Sequence, residues 1–143
     1  MAAKLVLKNG KLPHIWNVSS RVGPGSDEPN NGTDVELLNT LVVIAMGHPA
    51  IKRFGIKGNA IPPNRATVFD PILGFWIFRF QQIGKHPASD GVASPARGTS
   101  FAPGQPWVVV TINEFAREAD LDLWTSLNRN TNVSAGLRAE LSR

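Results

Sequence analysis

The first apolar pattern with a helical period begins at Thr33. Thr33 and Glu36 have the spacing of a capping box, in which both side chains accept hydrogen bonds from backbone N–H groups of the first turn. Gly47 is expected to end this helix, and Pro49 to prevent a restart. A stripe of apolar residues recurs at helical spacing between these ends: Val35, Leu38, Val42, Ala45 and Met46.

The second helical pattern has clear signals at both ends. Asp70 stands at the N-cap position with Pro71 behind it, and Gly84 is the natural C-terminal stop. The body between them, ILGFWIFRFQQI, is apolar on nearly every side. A helix of this kind is central to a core or is covered by a partner. We therefore expect Phe75 and Phe78 to be buried, and aspartate at either position to abolish folding.

The C-terminal part of the chain combines a β-branched run with further helix signals. Residues 107–111, WVVVT, are typical of a short strand. Thr111 and Glu114 repeat the capping-box spacing, which predicts a third helix over about 112–127. Ser134 is expected to cap a last short helix.

Residues 1–22 read as an extended N-terminal arm, ahead of a single helical domain with long loops over 23–143. Two short strands joined at Asn9-Gly10 are predicted in the arm. They either pair as a hairpin on their own domain or reach a neighbouring chain and add strand edges to it. Four apolar residues are the candidates for assembly contacts: Leu5, Leu7, Ile15 and Trp16. The predicted fold class is thus mainly α with short β pieces: three main helices, the arm and a strand near 107–111.

Composition narrows the class of protein. The 143 residues fit one domain, and the absence of cysteine excludes disulfides and thiolate metal sites. The net charge of +4 comes from dispersed basic residues, so a nucleic-acid surface is not favoured. The N-terminus lacks the apolar run of a secretory signal, so synthesis in the cytoplasm is expected, with the final location open. The longest apolar run, 41–46, is far too short for a membrane span.

No chemical signature of an enzyme stands out. The three histidines are far apart in the sequence, and no phosphate-binding glycine loop or nucleophile elbow occurs. Asp120 and Asp122 are two positions apart in a predicted helix, so their carboxylates point in different directions. We therefore expect no catalytic residues, no cofactor and no metal. The basic stretch 48–67 is either a solvated loop or a binding loop.

Short motifs in two places carry a family resemblance. The downstream set is Phe80-Gln81, Gly84, Asp90-Gly91-Val92 and Pro95. The upstream set is Val22, Gly23, Gly25, Ser26, Asp34, Val35, Leu37, Leu38 and Asn39. Over about residues 22–95 the chain resembles the bacterial peptidoglycan-binding domain family, small helical domains in which a Phe-Gln helix precedes an Asp-Gly loop. Such domains also occur in phage and phage-derived particles, where the fold acts as a structural unit.

The resemblance and the composition together give two expectations of function. The first is a non-catalytic structural or assembly subunit of a phage or phage-derived tail or injection particle, forming homo- or hetero-oligomers with other protein subunits. The alternative is a module that binds peptidoglycan, the cell-wall glycan. For either role the candidate rim for glycan or partner is Asp90, Gly91, Arg97, Arg53 and Lys57.

Overall fold

A computed structural model describes residues 1–8, 11–53, 61–62 and 65–143. In the described part the fold is mainly helical with one small antiparallel hairpin. Strands β1 (Ala3–Val6) and β2 (His14–Asn17) precede the helices α1 (Gly32–Ala45), α2 (Pro49–Lys52), α3 (Pro71–Ile83), α4 (Val108–Ala119), α5 (Leu121–Thr125) and α6 (Ala135–Leu141), with a 3-10 turn at Leu127–Arg129. None of the described helices is long and apolar enough to cross a membrane.

The N-terminal hairpin packs into the core of its own chain. Ala3 pairs with Asn17 and Val6 with His14, which fixes the register of the two strands. Ile15 and Trp16 of β2 are 0% and 1% exposed. Of the two alternatives for the arm, the structure therefore has the hairpin on its own domain; its predicted turn at Asn9-Gly10 lies outside the described residues.

Asn113 of α4 joins the hairpin to the helices through four hydrogen bonds. Its Oδ1 accepts from the backbone N–H of Trp16 at 2.9 Å and from the indole N–H of Trp124 at 3.0 Å. Its Nδ2 donates to the carbonyls of Trp16 at 3.0 Å and of Val109 at 2.8 Å. The indole of Trp16 in turn donates to the Trp124 carbonyl at 2.7 Å. Every hydrogen-bonding group of this fully buried amide is thus satisfied, and α4 becomes the element on which β2 and α5 are fixed.

Helix α1 begins near the predicted position, but the predicted capping box is wrong. Asn31 is the N-cap and its side chain makes no capping bond, while Thr33 lies inside the helix. Glu36 is fully buried and accepts from the backbone N–H and the hydroxyl of Ser134, at 2.7 and 2.6 Å. A buried carboxylate needs strong donors, and a remote serine supplies them here in place of the helix's own first turn.

The other carboxylate of α1 also accepts hydrogen bonds from serines. Asp34 is fully buried and accepts from the backbone N–H groups of Ser19 and Ser20, at 2.9 and 3.1 Å. Both serine hydroxyls also donate to it, at 2.8 and 3.0 Å. The two acidic residues of α1 therefore hold the segment after β2 and the start of α6 against one helix.

Helix α3 confirms the predicted boundaries but not the predicted burial. Asp70 Oδ1 accepts from the N–H groups of Ile72 and Leu73 at 2.7 and 3.3 Å, and Gly84 is the C-cap. One side of the helix is buried, whereas Phe75 and Phe78 are 46% and 37% exposed. The predicted burial of both rings is therefore wrong, and the expectation that aspartate abolishes folding loses its basis, because a charge at an exposed position keeps its contact with water.

The strand predicted over 107–111 is wrong: these residues end a loop and begin helix α4. Trp107 is the N-cap, and the valines from Val108 onward are helical and buried. Their β preference is weak compared with the free energy gained by packing, so the tertiary contacts decide. Thr111 bonds His86 at 2.8 Å and so does not cap a helix.

The long third helix predicted over 112–127 is divided at Asp120. The backbone of Asp120 is extended, and its carboxylate caps α5 by accepting from the Leu123 N–H at 3.0 Å. Ser134 caps α6 as predicted, since its hydroxyl accepts from the Leu137 N–H at 3.2 Å. Capping by short polar side chains thus sets both boundaries.

Pro49 was expected to prevent a helix, but it starts one. Proline is well tolerated at the first position of a helix because the N–H it lacks has no partner there. His48 is the N-cap of α2, and its Nδ1 accepts from the Ala50 N–H at 3.0 Å. Of the basic stretch 48–67, residues 54–60 and 63–64 lie outside the described residues.

Candidate functional site

The Asp-Gly-Val loop is held to α3 by the side chain of Gln81. This amide is 4% exposed, and its Nε2 donates to Asp90 Oδ1 at 2.9 Å and to the Val92 carbonyl at 3.0 Å. Its Oε1 accepts from the Gly91 N–H at 2.9 Å. The glutamine of the Phe-Gln motif therefore fixes all three residues of the loop that follows it nine to eleven positions later.

The loop itself has the geometry that its residue types favour. Gly91 has a φ of +74°, which side chains with a Cβ rarely adopt, and Asp90 Oδ1 accepts from the Val92 N–H at 3.0 Å. Burial raises the pKa of the Asp90 carboxyl, but hydrogen bonds from Gln81 and from backbone N–H groups outweigh it, so the pKa lies below its ordinary value. Asp90 is thus an ionised, internally bonded part of the scaffold.

The two halves of the family-like motif meet in space. Val22 and Ala93 exchange backbone hydrogen bonds of 2.9 and 2.8 Å in an isolated antiparallel bridge. Beside this bridge a Cβ on Gly23 would lie 2.7 Å from a methyl group of Val92, so the close approach requires glycine. The upstream Val-Gly and the downstream Asp-Gly-Val therefore form one structural unit.

A shallow groove of about 630 Å³ lies beside this unit and is named the α3 groove. It is lined by Pro24, Phe69, Pro71, Gly74, Phe78, Ser89, Asp90 and Gly91. Phe75 is exposed one helical turn before Phe78 and extends the apolar surface along the helix. Most of the lining is apolar, and the exposed rings make this side of α3 a candidate contact surface.

The residues predicted to form a rim differ in their relation to the α3 groove. Asp90 and Gly91 line the α3 groove, whereas Arg97 and Arg53 are exposed on other segments and do not line it. Lys57 lies outside the described residues. The exposed phenylalanines of α3 were missed because an almost continuous apolar run does not reveal which side faces water.

The residues predicted for an assembly arm lie on the hairpin. Ile15 and Trp16 are buried within this chain, and Leu5 and Leu7 are half-buried against the same core. In this conformation neither buried side chain is accessible to another chain.

A second cleft, of about 530 Å³, lies between the hairpin, the end of α3 and helix α4 and is named the α4 cleft. Its lining is mostly apolar and includes one carboxylate, Glu114. Burial raises the pKa of Glu114; Lys11 opposes this and nearby Glu118 adds to it. Sequence reasoning took Glu114 as a capping residue and so missed its position in this wall.

Glu118, one turn after Glu114, is neutralised by two partners. It accepts from Lys11 Nζ at 3.3 Å and bonds His48 Nε2 at 2.9 Å. Burial raises the pKa of Glu118, but the bonds to His48 and Lys11 outweigh burial and leave the pKa below its ordinary value. Among the described residues Glu114 has no such partner.

The described part of the chain holds no group of three side chains suited to a metal ion. Each histidine is engaged separately: His14 stacks on Trp124 with ring centroids 4.4 Å apart, and His48 and His86 bond Glu118 and Thr111. Comparison of the chain with models of known families, with curated proteins and with solved structures found no match.

Proposed function

We propose that this chain is a non-catalytic structural subunit that assembles with copies of itself through the exposed side of α3. The main observation in support is the pair of phenylalanines, Phe75 and Phe78, exposed beside the apolar α3 groove. Exposed aromatic side chains next to a groove are typical of protein interfaces. The resemblance to a domain family that also occurs in phage-derived particles extends the proposal to a subunit of a tail or injection particle.

Self-association is supported by the arrangement of the two rings on one helix. Phe75 and Phe78 lie one turn apart, so a two-fold axis across α3 brings the pair of one copy against the pair of the next. Such a contact removes four rings from water that are partly exposed in the isolated chain. The removal of these apolar rings from water favours association.

The alternative, peptidoglycan binding, is favoured by a different observation at the same place. Ser89 and Asp90 line the same groove as Phe78, and a sugar ring can stack on an aromatic face while its hydroxyls bond polar neighbours. Against it, Asp90 Oδ1 already accepts from Gln81 and Val92. The carboxylate is therefore partly occupied by the scaffold, which makes assembly the better supported function.

Two measurements on the purified protein separate these functions. Sedimentation velocity at increasing concentration is expected to show oligomers, and co-sedimentation with purified cell-wall sacculi is expected to leave the protein in the supernatant. A chain that stays monomeric and sediments with the sacculi would instead support the glycan-binding function. A chain that does neither would contradict both.

A further inference from the structure

Glu114 of α4 is a half-buried carboxylate that no described residue engages in a hydrogen bond or ion pair. The other acidic side chains of α1 and α4 are engaged: Asp34 by two serines, Glu36 by Ser134 and Glu118 by Lys11 and His48. Within the described residues the oxygens of Glu114 accept no hydrogen bond, although the side chain is partly removed from water. A carboxylate in this position gains free energy from any donor that enters the α4 cleft.

The shape and lining of the α4 cleft suit a small apolar body. Its volume of about 530 Å³ lies within the usual range for ligand pockets. Leu7 and Leu12, which lie between the two strands in the sequence, line it together with Phe101 and Phe115. Thr111, the polar residue one turn before Glu114, has its hydroxyl engaged by His86 at 2.8 Å and by Gln105 at 3.3 Å. Glu114 therefore offers a charged acceptor to a ligand in this cleft.

The charges around Glu114 favour a positively charged ligand. Glu118 is balanced by Lys11 and His48, whereas Glu114 forms no ion pair within the described residues. The Lys11 ammonium bonds Glu118 rather than Glu114. The charge of Glu114 therefore stays without an ion-pair partner in a partly buried position, where a cation is attracted more strongly than in water.

We propose that the α4 cleft binds a hydrophobic ammonium, with the Glu114 carboxylate accepting the hydrogen bonds of the N–H groups and the aromatic and leucine walls covering the apolar part. The ammonium comes from a free amine or from a lysine side chain of another protein. The α4 cleft shares no lining residue with the α3 groove, so this site is separate from the proposed assembly surface.

Calorimetric titration with 3-phenylpropylammonium and with its neutral counterpart 3-phenylpropanol tests the site. The ammonium is expected to bind about tenfold more tightly than the alcohol, because a hydrogen bond to a charged group in a half-buried site stabilises the complex more than a neutral one. Glu114→Gln should remove that preference, and Ala102→Trp should block both compounds because Ala102 is an exposed residue of the cleft wall. A lysine-containing peptide with flanking leucine and phenylalanine, titrated in parallel, distinguishes a protein lysine from a free amine.

Two controls keep the result specific. Asp122→Asn removes an exposed carboxylate from α5 and should leave the affinity unchanged. Lys11→Met removes the competing ammonium and should leave binding as tight or tighter. Equal affinity for ammonium and alcohol, no binding of either the ammonium or the peptide, or an unchanged preference in a folded Glu114→Gln variant would overturn the proposal.

Discussion

At the scale of single residues, buried amides and carboxylates connect segments that lie far apart in the sequence. Asn113 joins β2 to α4 and α5, Glu36 joins α1 to the start of α6, and Gln81 joins α3 to the Asp-Gly-Val loop. A buried polar group without its partner costs more than the bond contributes when formed. Substitutions at these positions therefore measure how much each connection contributes to the free energy of unfolding.

Gln81→Leu is expected to lower the free energy of unfolding by about 1–3 kcal/mol, since the Gly91 N–H and the Val92 carbonyl would each lose a partner. Gln82→Leu is the matched control, because the neighbouring glutamine is exposed. Urea unfolding of both variants gives the comparison. Equal stability of the two would mean that the loop does not depend on the glutamine.

The buried His14 is expected to make the fold less stable as the pH falls. Burial, with smaller contributions from Lys4 and Arg117, lowers the pKa of His14 from 6.5 to about 4. The unfolded chain therefore binds a proton more readily than the folded chain between these values, and stability present above pH 6.5 is lost as the pH falls toward 4. The expected loss from this residue between pH 7 and pH 5 is about 2 kcal/mol.

The measurement is the free energy of urea unfolding at pH 7 and pH 5, for the wild type and for His14→Phe. Phenylalanine retains a ring for stacking on Trp124 and cannot titrate, so the variant should lose about 2 kcal/mol less than the wild type over this interval. The same pH dependence in both proteins would exclude His14 as the cause.

At the scale of elements, the sequence was informative where a helix end is fixed by its own neighbours. Asp70 and Ser134 cap helices by bonding N–H groups two or three positions ahead, and both boundaries were predicted. Thr33 and Glu36 have an equally good capping pattern, but Glu36 bonds a serine almost one hundred positions away. A local pattern contains no information about so distant a partner.

In the candidate site too, features fixed by neighbouring residues could be predicted, and features fixed by distant segments could not. The Asp-Gly-Val loop could be predicted because aspartate and glycine determine a turn within a few residues. The exposure of Phe75 and Phe78 and the position of Glu114 in a cleft could not, since each depends on which segments cover a helix. The valines after Trp107 were assigned to a strand because β preference was visible and tertiary packing was not.

The hairpin gives a test at this scale. Deleting residues 2–19 should abolish cooperative unfolding, because it removes Ile15 and Trp16 from the core and leaves the amide of Asn113 without two of its partners. Circular dichroism during heating measures the transition. A truncated chain that keeps a sharp transition and only loses self-association would show that the hairpin serves assembly and not the core.

At the scale of the whole molecule, the described residues form two surfaces that are open to a partner or ligand. The α3 groove with its exposed phenylalanines is apolar and open, and the α4 cleft is narrower and contains an unpaired carboxylate. The family-like motif lies under the first surface and holds it in place through Gln81. The motif residues Asp90 and Gly91 thus form part of the groove wall, and the exposed rings beside it come from Phe75 and Phe78, outside the motif.

Self-association through α3 is the central claim, and sedimentation velocity on matched variants tests it most directly. Phe75→Ser with Phe78→Ser removes the two exposed rings of α3, and Leu121→Ser with Leu123→Ser removes two leucines of similar exposure, 52% and 42%, from α5. The account predicts that the phenylalanine variant stays folded and monomeric at concentrations where the wild type and the leucine variant form oligomers. A wild type that is monomeric up to its solubility limit, or a folded phenylalanine variant that associates like the wild type, would contradict it.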